Sequence, residues 1–183
     1  NQGSMAITTN GLIKEPSTEG ADVAQINIYE TAKLTAAEGT SGNMNSDDAP
    51  AIYAAGHAIW NIYGGYIEGS EALSIKGGEF YITGGELKAT GKFNSEPDAY
   101  NNGSEATGSA ISITENKSYA GNIVLEVSNA KVTSEKGYAV FETITDKAVQ
   151  PAINDITITS GNYSGEKGAV KAETQTNFIE GGI

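Results

Sequence analysis

The feature that most constrains the fold of this chain is an internal repeat of short apolar strings. Each copy contains an Ala followed by residues rich in Ile and Val, a variable turn, an apolar-x-apolar string, a Gly pair or its substitute, and a final apolar residue. Four copies are clear, and they begin at Ala51, Ala72, Ala110 and Ala139. Degenerate copies flank them, at 26–34 and from 169 onward. Recurrence of this kind predicts a solenoid in which each copy forms one turn.

The segments within each copy have the character of strands. They are three to five residues long, apolar and polar residues alternate in them, and no helical period separates them. Strands this short must stack on the equivalent strands of neighbouring copies, which puts equivalent residues above one another at about 4.8 Å. We therefore predict an all-β parallel β-helix of about six to seven rungs. One interior ladder contains Trp60, Phe80, Leu125 and Ile156, and a second contains Ile62, Ile82, Val127 and Ile158.

Glycine pairs mark the predicted corners of the solenoid, at 64–65, 77–78, 84–85 and 181–182. Gly accepts the positive φ angle or the close backbone approach that a sharp bend between strands requires. A phosphate-binding loop would need the pattern GxGxxG, or a Lys-Ser/Thr ending between a strand and a helix. The pairs lack both patterns, and we interpret them as corners.

Charge and composition limit the classes of partner that this chain is expected to bind. The chain carries 23 acidic and 11 basic residues, for a formal net charge of −12, and it contains no cysteine. Binding to nucleic acid or to an anionic membrane surface requires a basic patch, which this composition does not favour. We therefore expect no nucleic-acid partner and no membrane insertion, and the absence of cysteine excludes disulfides and thiolate metal sites.

The strings Trp60–Ile67 and Phe80–Leu87 resemble the repeats of right-handed parallel β-helices in surface-exposed proteins of gut and other anaerobic bacteria. The resemblance covers about residues 21–183, and it leaves residues 1–20 as an N-terminal lead, a cap or a first rung. It implies a right-handed solenoid, an extracellular or cell-surface location and, in some members, adhesion or carbohydrate binding. Other β-helices are polysaccharide lyases or hydrolases, so the resemblance alone does not choose an activity.

The C-terminal end of the sequence, Phe178–Ile183, stands in the middle of another rung-like string. An open last rung exposes unpaired strand groups and promotes association between molecules. We expect either that the repeat domain is truncated at its C-terminus or that its last rung pairs end to end with a neighbouring molecule.

Two insertions interrupt the repeat after equivalent strands, at 40–50 and 90–109. Both are rich in the oxygen-bearing side chains that calcium prefers. The same residue types also favour ordinary turns, and neither an EF-hand nor an RTX pattern is present. The sequence thus leaves two alternatives, no cofactor or a calcium site. The candidate metal ligands are Asp47, Asp48, Glu96 and Asp98.

Outward-facing tyrosines are the candidate ligand-binding residues. The alternation that directs Trp60 and Phe80 into the core directs Tyr63, Tyr66 and Tyr81 outward. A tyrosine ring can stack on the face of a sugar while its hydroxyl stays hydrated. Tyrosine also suits an exposed β surface without any ligand, so both interpretations stay open.

The leading hypothesis from the sequence is a non-catalytic extracellular module that takes part in adhesion or binds a polysaccharide or host glycan. One alternative is a carbohydrate-active enzyme that uses acidic residues of the two insertions. A glycosidase needs two carboxylates on either side of a cleft, and 23 acidic residues do not single out such a pair. Another alternative is a structural spacer, whose role is length and stiffness.

Overall fold

The computed structural model of the chain describes residues 5–10, 23–36, 49–97, 105–115, 123–144 and 155–173. These ranges contain sixteen β-strands. In chain order they are β1 Ile7–Asn10, β2 Gln25–Ile28, β3 Lys33–Thr35, β4 Ile52–Ala55, β5 Ile59–Ile62, β6 Tyr66–Gly69, β7 Leu73–Ile75, β8 Gly78–Ile82, β9 Glu86–Ala89, β10 Ile111–Glu115, β11 Ile123–Val127, β12 Ala130–Ser134, β13 Tyr138–Ile144, β14 Asp155–Ile158, β15 Gly161–Gly165 and β16 Gly168–Lys171. No helix in the described ranges is long and apolar enough to cross a membrane.

The strands pair in parallel and form three sheets. Sheet A contains β1, β4, β7, β10, β13 and β16; sheet B contains β2, β5, β8, β11 and β14; sheet C contains β3, β6, β9, β12 and β15. Successive strands belong to sheets A, B and C in turn, so three strands complete one rung. The protein is therefore a right-handed parallel β-helix, and the predicted fold class is confirmed. The described ranges contain five complete rungs and the first strand of a sixth.

The two predicted interior ladders are confirmed by the strand register. Trp60 pairs with Phe80, which pairs with Leu125, and the ladder continues to Ile156. Ile62, Ile82, Val127 and Ile158 form the second ladder in the same way. The Trp60 and Phe80 rings stack with centroids 5.6 Å apart and planes 7° apart, and both side chains are fully buried. A third ladder, from sheet C, contains Ile67, Leu87, Val132 and Tyr163.

The first rung carries one residue more than the others at the corner between sheets B and C. Ile26 lies in register with Trp60, and Leu34 lies in register with Ile67. The extra residue is accommodated in a turn in which the Ala32 amide donates to the Tyr29 carbonyl at 2.9 Å. Strand β1 falls within the segment predicted as a lead or cap, and it extends sheet A by pairing with β4. The terminal string 178–183 lies outside the described residues.

Glycine has the predicted role at this corner. Gly65 and Gly85 occupy equivalent positions, with φ angles of 92° and 97°. A Cβ atom on Gly85 would lie 3.0 Å from the backbone of both Gly64 and Gly65. These positions therefore require glycine for its positive φ and for the close approach of successive rungs.

Replacing Phe80 with Ala tests the central ladder. Removing a fully buried ring that stacks on Trp60 leaves a cavity, and we expect a loss of about 3–5 kcal/mol in the free energy of unfolding. Urea denaturation measures this loss. The matched control is Glu126→Ala, which removes an exposed side chain from the neighbouring strand β11 and should change stability by less than about 0.5 kcal/mol. Equal unfolding midpoints for the two variants would contradict the packing described above.

The raised pKa of Tyr163 makes the free energy of unfolding depend on pH at alkaline values. Burial raises the pKa of its phenol to about 12, and its hydroxyl donates to the Ser160 carbonyl at 3.0 Å. In the unfolded chain a tyrosine ionises near pH 10, as an ordinary phenol does. Between these two values the unfolded state releases the proton and the folded state keeps it. The contribution of the protonated Tyr163 to the free energy of unfolding is therefore fully present below pH 10 and is lost as the pH rises through about 12.

The measurement is urea denaturation of the wild type and of Tyr163→Phe, below pH 10 and then close to pH 12. The variant should lose less stability over this interval, because its ring cannot ionise. Part of the decline should persist, since hydrogen bonds to Glu68 and Glu79 raise the pKa of Tyr66 and Tyr81 in the same direction. Identical pH profiles for the two proteins would show that Tyr163 does not contribute.

Candidate functional site

A single row of side chains follows the corner between sheets B and C, with one residue from each rung. We call it the corner row, and it consists of Tyr29, Tyr63, Thr83, Ser128 and Thr159. Each member comes directly after a strand of sheet B. Backbone hydrogen bonds hold the row in register, because the amides of the last four members donate to carbonyls one rung below, at 2.7–3.0 Å.

Two exposed tyrosines form the N-terminal part of the corner row. The rings of Tyr29 and Tyr63 stack with centroids 5.3 Å apart and planes 22° apart. They are 57% and 42% exposed, and among the described residues Met5 is the one other large apolar side chain that is exposed. Large apolar groups that cluster in contact with water commonly mark a binding surface. The tyrosine pair is therefore the strongest candidate site in the described structure.

An amide pair lies beside the tyrosine pair. Asn27 and Asn61 stand in register on β2 and β5, and the Asn61 Nδ2 donates to the Asn27 Oδ1 at 3.0 Å. Each precedes its tyrosine by two residues, so amide and ring face the same side of the strand about 7 Å apart. An amide has two N–H donors and an acceptor oxygen, so this one bond leaves donors and an acceptor for a ligand. We call these four residues the tyrosine–asparagine patch.

The three tyrosines predicted from the sequence are distributed around this corner. Tyr63 belongs to the patch, and Tyr81 pairs with Asn61 one rung further along sheet B. Tyr66 lies past the corner on the outer face of sheet C. The hydroxyls of Tyr81 and Tyr66 donate to the carboxylates of Glu79 and Glu68, the residues two positions away on their own strands. The Tyr63 hydroxyl makes no such bond to another described residue, and the ring that stacks on Tyr63 is that of Tyr29.

Besides Asn27 and Asn61, the member of the patch that the sequence analysis missed is Tyr29. It directly follows Ile28, which lies in register with Ile62, so its equivalence to Tyr63 was available from the repeat. The extra residue in the turn after Tyr29 shifts the rest of that copy and obscured the match.

The stacking direction determines which parts of the rings can meet a ligand. Tyr29 and Tyr63 stack along the solenoid axis, so each ring covers one face of the other. The second face of Tyr63 is directed toward the third rung, where the row continues with the much smaller Thr83. The side chains of the row therefore become much shorter after Tyr63. We call this drop in height the step: the Tyr63 ring is its wall and Thr83 is its floor.

The outer surface of sheet B beyond the patch is acidic. Glu126 and Asp155 are exposed there, and their charges contribute to the raised pKa of Tyr81. The hydrogen bond from Tyr81 to Glu79 is the largest cause of that shift. A site with these neighbours repels anionic ligands and tolerates neutral or cationic ones.

The candidate calcium ligands are described only in part. Asp47, Asp48 and Asp98 lie outside the described residues, and Glu96 is exposed, with its amide donating to the Asn94 Oδ1 at 3.0 Å. The described residues contain no group of three or more His, Cys, Asp or Glu side chains that could hold a metal ion. Calcium binding stays a prediction. The strands before the two insertions, β3 and β9, do lie two places apart in sheet C, as expected.

A buried polar cluster fixes the second insertion against the outer face of sheet A. The Glu71 carboxylate is fully buried between β6 and β7, and its Oε1 accepts from the Thr107 amide at 2.6 Å and from the Thr107 hydroxyl at 2.7 Å. The same hydroxyl lies 3.0 Å from the Ser112 hydroxyl on β10. Nearby, the Phe93 ring packs edge-on against Phe141. This cluster holds the insertion in place, and its burial removes it from contact with a large ligand.

Comparisons with known protein families, with curated proteins and with solved structures found no match to this chain.

Replacing Glu71 tests the cluster that holds the insertion. Glu71→Ala removes the carboxylate oxygen that accepts hydrogen bonds from the Thr107 amide and hydroxyl. We expect the free energy of unfolding to fall by about 1–3 kcal/mol. The Thr107 amide should also exchange its hydrogen faster, which NMR measures directly. Glu71→Gln keeps a carbonyl oxygen and should have a smaller effect, while the exposed control Glu96→Ala should have almost none. Unchanged exchange at Thr107 in Glu71→Ala would contradict this role.

Proposed function

We propose that this chain is a non-catalytic module that binds carbohydrate through the tyrosine–asparagine patch. The observation that carries the proposal is the exposed, stacked pair of Tyr29 and Tyr63 with an amide pair directly beside it. Exposed rings stabilise the fold less than buried ones do, so a pair kept at the surface favours a role in recognition.

Sugars match both halves of the patch. A pyranose ring has C–H faces that pack on an aromatic ring and hydroxyls around its edge that donate and accept hydrogen bonds. Tyr63 offers the apolar contact, and Asn61, whose Nδ2 donates to the Asn27 Oδ1 at 3.0 Å, retains a second N–H and its own Oδ1 for the sugar hydroxyls. The acidic surroundings favour an uncharged sugar over a uronate or a sulfated one.

We further propose that the module works outside a bacterial cell, as part of a surface-exposed protein that takes part in adhesion. This part of the proposal is supported by the resemblance of its repeat to those of bacterial surface β-helices. A cysteine-free, acidic chain with a net charge of −12 is compatible with such a location.

Binding to an array of bacterial, host and plant glycans tests the proposal. We expect binding to uncharged glycans, and we expect Tyr63→Ala and Asn61→Ala each to weaken it by about 3- to 10-fold, which corresponds to the loss of one ring contact or of one or two hydrogen bonds. The control is Thr159→Ala, which truncates an exposed member of the corner row three rungs beyond Tyr63. It should bind as the wild type does.

The array is run in calcium and again with a chelator. Binding that requires calcium and is unaffected by Tyr63→Ala would contradict a site at Tyr63 and would indicate that the glycan binds at the two insertions. Cleavage of a bound polysaccharide would support the enzyme hypothesis. A folded protein that binds no glycan in either buffer would contradict the proposal and leave the structural spacer as the better account.

A further inference from the structure

We infer that the bound sugar ring stands on the step of the corner row, stacked on the free face of Tyr63 above Thr83, so that its plane is perpendicular to the solenoid axis. This inference rests on the proposed function and adds how the ligand is oriented. The ligand class is an uncharged linear polysaccharide with a pyranose unit whose face is apolar, such as a glucan with equatorial hydroxyls. Its chain crosses the corner from sheet B toward sheet C and does not run along the axis.

Side-chain size changes abruptly along the corner row between the second and third rungs. Two rings in the first and second rungs are followed by three small hydroxyl residues, Thr83, Ser128 and Thr159. Because Tyr29 covers one face of Tyr63, the face toward Thr83 is the one on which a sugar can stack. A sugar placed there would be the third ring of the stack. It would fill the space that an aromatic side chain at position 83 would occupy.

The floor of the step carries few side-chain atoms. Thr83 is exposed and carries a hydroxyl, and the two residues after it are Gly84 and Gly85. A Cβ atom on Gly84 would lie 2.7 Å from the Tyr63 carbonyl oxygen, so the close contact between rungs excludes any side chain at that position. The path from Tyr63 toward sheet C is therefore free of side chains from these two residues, which lets a polysaccharide chain continue across the corner.

Polar side chains stand around the step. The amide of Asn61 stands two residues before Tyr63 on the sheet-B side, and Thr83 lies on the floor. Both can bond to the hydroxyls at the edge of a sugar that is stacked on Tyr63. The nearby carboxylates of Glu79 and Glu126 disfavour an anionic chain.

The experiment adds an aromatic residue to the row. Thr83→Tyr extends the stack onto the free face of Tyr63 and occupies the step, so we expect at least about tenfold weaker binding with an unchanged or higher melting temperature. Tyr63→Ala should weaken binding strongly, and Tyr29→Ala should do so less, because Tyr29 only supports Tyr63. The control is Thr159→Tyr, which adds the same residue to the same row two rungs beyond the step and should leave binding unchanged.

The probes are soluble mixed-linkage β-glucan, glucomannan and laminarin, with polygalacturonate as the anionic counterpart, and binding is measured by affinity electrophoresis. Stronger or unchanged binding by Thr83→Tyr, together with weaker binding by Tyr63→Ala, would overturn the inference and leave the proposed function standing, since a chain along the axis gains from a longer row of rings. Preferred binding of polygalacturonate would overturn the ligand class. If none of the four polymers is bound, or if Tyr63→Ala binds as the wild type does, the proposed function fails and the inference fails with it.

Discussion

The register between successive rungs is the constraint on which the rest of this structure depends. Parallel strands pair residue by residue, so each side chain meets its own equivalent one rung away, at about 4.8 Å. Inside the solenoid this produces the ladder from Trp60 to Ile156, and outside it produces rows such as the corner row. Interior ladders repeat apolar residues, since they must exclude water together. The outer rows are free to change composition from rung to rung, and there the chain differs from its own repeat.

The sequence predicted the parts of the fold that this register controls. The strands around Trp60 and Phe80, their partners in later rungs and the glycine corners all follow from aligning the copies with one another. The contacts of the second insertion could not be predicted, because an insertion has no equivalent in the neighbouring rung. The bonds from Thr107 to Glu71 join residues 36 positions apart, at positions that no repeat or alternation relates. Tyr29 was missed for the opposite reason, since one extra residue hid a position that the repeat does relate.

The same aromatic stacking has different consequences on the two sides of the sheet. Trp60 and Phe80 stack in the core, where their burial contributes directly to stability. Tyr29 and Tyr63 stack with similar spacing on the outer side, where water reaches both rings and the gain from burial is small. The sequence predicts that tyrosines face outward, but it does not reveal that two of them are stacked along the axis. That detail decides whether a ligand meets a flat platform or a step.

The outer surfaces of the solenoid differ in which side chains pack over them, and this difference explains why the corner between sheets B and C is the candidate site. On the outer face of sheet A, the second insertion packs its Phe93 ring against Phe141, and the Glu71–Thr107 bonds hold it there. On sheet C, ion pairs between rungs, such as Lys131 with Glu86 at 2.8 Å, occupy the charged side chains with one another. At the corner between sheets B and C, by contrast, the second and third rungs turn through the pairs 64–65 and 84–85, whose glycines carry no side chain that could cover the row. The close backbone approach of these two rungs therefore adds no cover to the Tyr63 ring, which with Tyr29 is one of the two exposed aromatic side chains of the described residues.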